Sequence, residues 1–406
     1  MYAISPNTWF MRVHLLPLLV CLAGVNALQA QAIKNLPLQP ESRDIIEVLI
    51  KAFHISVKEK PPGKKRVSFS IIPVSTESSG GSKVLVSSIN AAFVLGHEDS
   101  TKVSSVYFLP YTDFSENFGF GTKVNLWTPG NTWNIPSEFR ISTLAQYSYG
   151  LGSDSERSDQ FKVTYNNVRF YFSGNHKLTK NFFGGLGVNY DRYYKVGVED
   201  SPTTPSEFAK YGIGTGSTSF STGVTFNLLY DNRRNSINPD NGFYTSIVYR
   251  VNPPQLLNDY QWSSIYLDTR KYYRISSEKR QILALWGFYW GSYGNVPYLN
   301  LPGTQQEFGG RSGRGFPRGR FIGRQMLYFE SEYRFDITSN GLLGAVVFAN
   351  FQSLTDPSNN KFQYVNPAAG FGARIKFNKE SNTNLTLDFG FGKNSFSFYI
   401  GLGEFF

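Results

Sequence analysis

Apolar and polar residues alternate strictly near the C-terminal end of the chain, from Asn384 to Phe389 (NLTLDF) and from Ser395 to Phe398 (SFSF). A period of two puts successive side chains on opposite faces of a β-strand, and no helical repeat fits it. Similar segments, each about nine to fifteen residues long, recur upstream as far as residue 66. The pattern predicts roughly sixteen antiparallel strands between residues 66 and 406.

The composition fits a membrane barrel better than a soluble core. Aromatic residues make up 16% of the 406 residues, beside 38 glycines, and the mean hydropathy is −0.28. A barrel wall averages to such a low value because lipid-facing apolar residues alternate with polar residues that face the lumen. Outside the N-terminus no run approaches the roughly twenty apolar residues of a membrane-spanning helix. The sequence thus predicts an all-β, transmembrane antiparallel β-barrel.

The N-terminus predicts export. Residues 1–32 resemble a signal peptide, with an apolar stretch from Leu15 to Val25 and an Ala-x-Ala cleavage site at residues 30–32. The single cysteine, Cys21, falls within that apolar stretch, so the mature chain is expected to contain no thiol. We expect the exported protein to lie in a bacterial outer membrane.

The segment between the signal and the barrel, residues 33–65, is expected to be a short periplasmic region. Within it residues 42–53 carry a helical apolar pattern, with Ser42 as the N-cap. The barrel then occupies residues 66–406. With a periplasmic N-terminus the inner turns are mostly short and the outer loops long, as in outer-membrane barrels. Residues 293–320 form the longest outer loop, and 128–136 and 231–240 are the two long inner exceptions.

Two motifs carry a family resemblance. Residues 309–320 read GGRSGRGFPRGR and lead into a strand that ends with residues 330–335, ESEYRF. This stretch resembles the Arg-Gly-Phe/Tyr motif of the bacterial surface antigen superfamily, the BamA/TamA-like outer-membrane assembly barrels. The resemblance implies that the motif sits at the tip of the sixth external loop, between strands eleven and twelve, and folds into the lumen.

The residues of this motif suggest their own roles. Arg314 offers a planar guanidinium suited to a carboxylate on the barrel wall, and Glu332 is the favoured partner. Gly313 and Gly315 allow a close backbone approach, and Phe316 packs the tip. The neighbouring Arg311, Arg318, Arg320 and Arg324 are interpreted as solvated or lipid-contacting charges.

The second motif runs from Asp231 to Tyr244 and is similar to the family's Asp-x-Arg…Pro-x-x-Gly turn, here Asp231, Arg233, Pro239 and Gly242. Pro239 fixes φ, and Asn241-Gly242 accepts positive φ, so the segment can reverse into the next strand. The chain ends on Phe406, and a terminal aromatic residue is typical of an outer-membrane assembly signal. Residues 230–406 carry the resemblance best.

The sequence departs from the family in two respects. Asn350 stands where the family has an acidic partner for the loop arginine, so the wall candidates are Glu332 and a neutral Asn350. The periplasmic POTRA modules that receive client proteins are also expected to be missing. Both departures bear on insertase activity more than on the fold.

The function that the resemblance implies is outer-membrane protein assembly or insertion, or polypeptide translocation, by template action at a weak seam between the first and last strands. The alternative is a passive pore or a lipid transporter with the same wall. No catalytic residue, metal site or cofactor is predicted, since His54, His97 and His176 lie before the barrel or in inner turns. The expected partners are outer-membrane lipids, unfolded outer-membrane proteins and periplasmic accessory proteins, with no role for nucleic acid.

Overall fold

The computed structural model describes the helical stretch 42–52 with residue 54, and most of the chain beyond residue 67. The described ranges there are 68–77, 83–97, 99–112, 117–199, 207–256, 258–307, 310–379 and 381–406. The predicted signal peptide and most of the predicted periplasmic segment lie outside these ranges. Within them no helix is both long and apolar enough to cross a membrane.

Sixteen strands form one sheet in the described part of the chain, and each pairs antiparallel with the next along the sequence, which confirms the predicted all-β barrel. They are β1 (Ser68–Glu77), β2 (Lys83–Phe93), β3 (Ser104–Thr112), β4 (Phe118–Trp127), β5 (Trp133–Ser148), β6 (Phe161–Thr179), β7 (Phe182–Glu199), β8 (Thr218–Asp231), β9 (Gly242–Asn252), β10 (Trp262–Arg274), β11 (Gln281–Gly294), β12 (Gln325–Asp336), β13 (Leu343–Leu354), β14 (Asn366–Asn378), β15 (Thr383–Gly392) and β16 (Ser395–Leu402).

The burial pattern is the reverse of that in a soluble protein. In β8 the polar Thr225 and Asn227 are 1% and 6% exposed, whereas their apolar neighbours Phe226 and Leu228 are 53% and 45% exposed. Adjacent strand residues point to opposite faces, so one face turns apolar groups outward and the other turns polar groups into the lumen. Such a wall is stable only where lipid covers its outer face.

A short helix, α1 (Ile45–Ala52), precedes the barrel. Its N-terminus is capped by Asp44, whose Oδ1 accepts a hydrogen bond from the Glu47 N–H at 2.9 Å, and not by Ser42 as predicted. Asp44 lies immediately before the first helical residue, where a side-chain oxygen reaches the free N–H groups of the first turn. The other Asp44 oxygen accepts from the Lys379 N–H at 3.0 Å, which ties α1 to the β14–β15 turn.

The inner connections are shorter than predicted at one of the two exceptions. The β4–β5 connection spans only residues 128–132, because Pro136 lies within β5, paired opposite Asn125. The connection of residues 232–241 is long, and it crosses to the β14–β15 turn. There the Asn238 amide donates to the Asn382 carbonyl at 3.2 Å. The connection is long because it reaches as far as the β14–β15 turn.

The first and last strands form a seam. β1 and β16 lie side by side where the sheet curls back on itself. Among the described residues, the ladder of backbone hydrogen bonds runs from β1 through to β16 but does not join those two strands. The sheet therefore has two edge strands that face each other.

The β15–β16 hairpin depends on one residue in the left-handed region. Asn394 has φ 52°, a conformation that asparagine tolerates and a β-branched residue does not. We expect Asn394→Val to lower the free energy of unfolding in lipid vesicles by about 1–2 kcal/mol, measured by urea titration. Lys393→Val, at the other exposed position of the same turn, is the control. Equal losses in the two variants would contradict this assignment.

Candidate functional site

The tip of the loop between β11 and β12, here called loop six (residues 295–324), is buried inside the barrel. Arg314 is 0% exposed and Phe316 1% exposed. Gly313 and Gly315 have φ values of 67° and 106°, which an L side chain rarely adopts, and the Phe316 N–H closes the turn on the Gly313 carbonyl at 3.0 Å. The Arg-Gly-Phe motif is thus a tight turn that presents Arg314 to the wall.

The turn lies against β14 and β15 with no room for an added methyl group. A Cβ on Gly315 would come within 2.9 Å of the Ala368 Cβ and 3.1 Å of the Phe391 backbone. A Cβ on Gly390, on β15, would come within 2.5 Å of the Gly315 nitrogen. Both glycines are therefore needed for backbone to approach backbone, and only one of them belongs to the motif read from the sequence.

Three carboxylates surround the Arg314 guanidinium. Nη1 donates to Asp388 Oδ2 at 2.8 Å, and Nη2 donates to both Glu330 and Glu332. Burial alone would lower the pKa of Arg314, but these three carboxylates outweigh it and raise that pKa above its ordinary value. The arginine is therefore permanently charged and held from three sides.

The wall contacts include the two residues expected from the sequence and two that were not. Glu330 and Glu332 alternate on β12, so both point into the lumen. The side-chain amide of Asn350 donates a hydrogen bond to the backbone carbonyl of Arg314 at 2.9 Å. Asn350 therefore binds the loop at its backbone and not at the Arg314 guanidinium. The acid missing at that position is supplied by Asp388 on β15. Its polar position in the NLTLDF alternation marked it as lumen-facing, but nothing in the sequence linked it to Arg314.

The network extends to the C-terminal tail. Arg374 Nε donates to Glu404 Oε2 at 2.8 Å, and its Nη1 donates to Asp388 Oδ1 at 2.5 Å. Arg334 Nε donates to Glu332 Oε1 at 2.6 Å. Burial would raise the pKa of Glu404, but Arg374 and Arg334 lie close and lower it below its usual range. Three guanidinium groups and four carboxylates thus form one connected cluster in the described lumen.

Aromatic rings enclose this cluster. The Arg314 guanidinium lies 3.6 Å from the Phe348 ring centre and 4.3 Å from that of Phe405. Phe316 meets Phe321 edge to face at 5.4 Å. Cations held over aromatic faces away from water gain about 2 kcal/mol or more per contact.

Phe406 is buried in the lumen, although a terminal assembly signal was expected to end a strand. β16 ends at Leu402, and Gly403, with φ 81°, turns the last three residues inward. The Phe406 ring packs on Trp286 with ring centres 5.3 Å apart, and its carbonyl accepts from Arg334 Nη2 at 2.9 Å. Its role in assembly stays a prediction.

The predicted inner turn motif forms an internal ion pair. Asp231 accepts hydrogen bonds from the Arg233 N–H and Nε, both at 3.0 Å. A Cβ on Gly242, whose φ is 122°, would lie 3.0 Å from the Arg233 Cα, so glycine allows the turn to close on itself. Pro239 is buried within it. The motif shapes the start of β9 and lies at the opposite end of the barrel wall from loop six.

The charged residues of the site position loop six. Within the described ranges no three His, Cys, Asp or Glu side chains gather as metal ligands. The acidic groups near Arg314 all bind arginines, and the cluster links loop six, β12, β14, β15 and the tail. Its evident effect is to fix a loop inside the lumen.

The close approach of Gly390 to Gly315 can be tested by substitution. We expect Gly390→Ala to lower the free energy of unfolding by about 1–3 kcal/mol and to expose the loop-six arginines to trypsin, because the methyl group displaces the turn. The control is Gly121→Ala in β4, where the added Cβ would meet its nearest atom at 3.7 Å. Trypsin resistance equal to that of the wild type would refute the close packing.

Two solved structures share this fold. BamA from Haemophilus ducreyi, lacking POTRA domains 1–3, matches with a TM-score of 0.52 at 12% identity, over 84% of this chain and 70% of that one. CdiB from Escherichia coli matches with a TM-score of 0.53 at 11% identity, over 85% of this chain and 63% of that one. No curated protein sequence matches the chain. At these identities the structural likeness shows the fold alone.

A match to the sequence model of a protein family is stronger evidence for the family of this chain. The model of the Omp85 superfamily domain matches residues 87–406, which include β3 to β16, loop six, the inner turn motif and the C-terminal tail. This confirms the resemblance read from the Arg-Gly-Phe motif and the inner turn. The chain belongs to the Omp85 superfamily.

Proposed function

We propose that this barrel assembles or translocates polypeptides across an outer membrane, and that it acts at the seam between β1 and β16. The family and the barrel fold indicate an outer membrane as its location. The observation that carries the proposal is the absence, among the described residues, of a hydrogen-bonded register between the first and last strands.

An unpaired strand edge is a template. Its row of free N–H and C=O groups favours pairing with an incoming strand, and inside a bilayer no water satisfies those groups. At eight residues, β16 is also the shortest of the described strands. A client strand that adds to this edge gains backbone hydrogen bonds at little cost in displaced pairing.

The Arg314 cluster supports the seam from one side. It anchors loop six to β12 and β15 and reaches β14 through Arg374. β15 is in turn the pairing partner of β16. We infer that the cluster keeps the C-terminal half of the wall rigid while the edge of β16 exchanges partners.

A passive pore or lipid transporter is the second candidate, and one observation favours it. The lumen encloses a cavity of about 650 Å³ beside loop six. Against an open channel stands the buried tip of that loop, held by ion pairs to the wall. A simple pore gains nothing from a loop anchored by three carboxylates.

Further elements of the proposal rest on sequence features. Export through a cleaved signal of residues 1–32 would deliver the chain to a bacterial outer membrane. The clients would be unfolded outer-membrane or secreted proteins, and periplasmic accessory proteins would present them. The barrel would act as a template for the pairing of an incoming strand, with no cofactor and no chemical step.

The first test measures insertion in lipid vesicles. We expect Arg314→Ala to slow at least about tenfold the rate at which a small unfolded barrel protein becomes protease-protected, because three buried carboxylates lose their shared partner. Removing one partner of a buried ion pair costs about 3–5 kcal/mol, so the rate is normalised to the folded fraction of each variant.

Arg320→Ala is the matched control, since Arg320 belongs to the same loop but donates to Ser155. Unchanged insertion by folded Arg314→Ala would remove the cluster from the mechanism. Wild-type vesicles that conduct ions steadily but do not accelerate insertion would favour the pore.

The second test locates the client. Phe396 on β16 and Phe226 on β8 are each 53% exposed on the outer face. In a chain with Cys21 replaced by serine, we expect a single-cysteine client to form a disulfide with Phe396→Cys during insertion and not with Phe226→Cys. Equal cross-linking at both positions would show that the client does not enter at the seam.

A further inference from the structure

Loop six does more than carry Arg314, because two of its other arginines line the luminal cavity. Arg311 and Arg318 both face this space of about 650 Å³ inside the barrel, so they do not contact lipid, which was one of the two environments that the sequence suggested. The loop folds inward as a whole, so residues on either side of its buried tip follow it into the lumen. Arg311 Nη1 donates to the Glu404 carbonyl and to the Phe405 carbonyl at 3.3 Å, so this arginine helps to hold loop six to the C-terminal tail, whereas Arg318 makes no such contact among the described residues.

Arg318 has no partner among the described residues. Its Nε is enclosed and makes no hydrogen bond, and no carboxylate pairs with it. Burial and the nearby charge of Arg140 lower the pKa of Arg318 below its ordinary value, and Arg169 adds to this effect. Arg318 as a whole is partly exposed to the cavity, but an enclosed N–H without an acceptor is costly, and an anion in the cavity would supply one.

Two arginines of the wall line the same cavity as Arg318. Arg140 on β5 pairs with Glu138 at 2.5 Å, and Arg169 on β6 pairs with Asp191 at 2.7 Å. Each guanidinium has five N–H donors, and these carboxylates engage only part of them. The three side chains come from β5, β6 and loop six, so only the folded barrel brings them together.

The charge around the cavity is unbalanced. Eight basic side chains line it, against four acidic ones. Two more carboxylates, Glu138 and Asp191, lie behind the wall arginines, and Asp191 also binds Arg250 at 2.8 Å. With all six acids counted against the eight bases, two positive charges remain. The cluster around Arg314, which shares Glu404 with this lining, shows the opposite balance, with four carboxylates to three guanidinium groups.

We propose that this cavity is a phosphate-binding site, in which Arg318, Arg140 and Arg169 hold one phosphate group. A phosphate monoester carries about −1.5 to −2 charges at neutral pH and three acceptor oxygens, which matches the excess charge and the three guanidinium groups that line the cavity. Arginine forks bind such tetrahedral anions with two parallel hydrogen bonds. Insertion at the seam is not needed for this site to exist.

The test is calorimetric titration of the full chain in detergent with inorganic phosphate at constant ionic strength. We expect saturable binding that Arg318→Gln weakens at least about tenfold, since a charge-assisted hydrogen bond is lost. Arg318→Lys, which keeps the charge without the fork, should fall between the two. Arg320→Gln, two residues along the loop, should bind like the wild type.

The folded state of each variant is checked by its heat-dependent migration in gel electrophoresis. Among the described residues Arg318 makes no side-chain hydrogen bond or ion pair that the substitution would break, so Arg318→Gln should migrate as the folded wild type. An absence of phosphate binding in the wild type, or equal binding by folded Arg318→Gln, would overturn the proposal. Binding of a glutamate-rich tetrapeptide that phosphate does not displace would also overturn it.

A second titration identifies the source of the phosphate. Dihexanoyl phosphatidic acid carries the same group on a short lipid. Tighter binding of this lipid than of inorganic phosphate, with the same loss in Arg318→Gln, supports the site as a receptor for a lipid headgroup. Equal affinities support free phosphate as its ligand.

Discussion

The burial of the Arg314 guanidinium is the constraint on which the rest of this barrel depends. A charge removed from water costs several kcal/mol unless partners surround it. Here the partners come from β12 and β15, and their remaining oxygens bind Arg334 and Arg374. Loop six, three strands and the C-terminal tail are therefore stable in one arrangement, because displacing any member leaves others uncompensated.

This cluster braces the C-terminal end of the sheet and so makes it different from the N-terminal end. The C-terminal strands are tied together through the lumen, and the tail turns inward at Gly403 to add Glu404 and Phe406 to the same packing. β16 thus reaches the seam as a short strand beside a braced neighbour. Within the described residues its outer edge has no ladder to β1. A rigid support beside an unpaired edge is the arrangement that template pairing requires.

Loop six also divides the lumen by charge. On one side its tip enters a cluster in which carboxylates outnumber guanidinium groups. On the other, Arg311 and Arg318 add positive charge to a cavity that already holds wall arginines. Both sides arise from one arginine-rich loop, since folding the tip inward carries its flanking charges into the barrel. The same segment that braces the wall therefore forms the proposed anion site.

The sequence by itself determined the fold and the location of the central motif. A period of two cannot be satisfied by a helix, and lipid outside with water inside requires that alternation over every strand, so about sixteen strands could be counted. Loop length and the Arg-Gly-Phe motif located the loop between strands eleven and twelve. Glu332 was within reach of prediction because it follows the motif closely and faces the lumen.

Only the tertiary structure decided which residues meet across the barrel. Asp388 lies 74 positions from Arg314, and a strand's periodicity tells which face a side chain occupies but not which side chain stands opposite it. The inward turn of Phe406 and the placing of Arg318, Arg140 and Arg169 on one cavity were hidden for the same reason. Alternation is a local property of the chain, whereas contacts across a lumen depend on closure of the whole sheet.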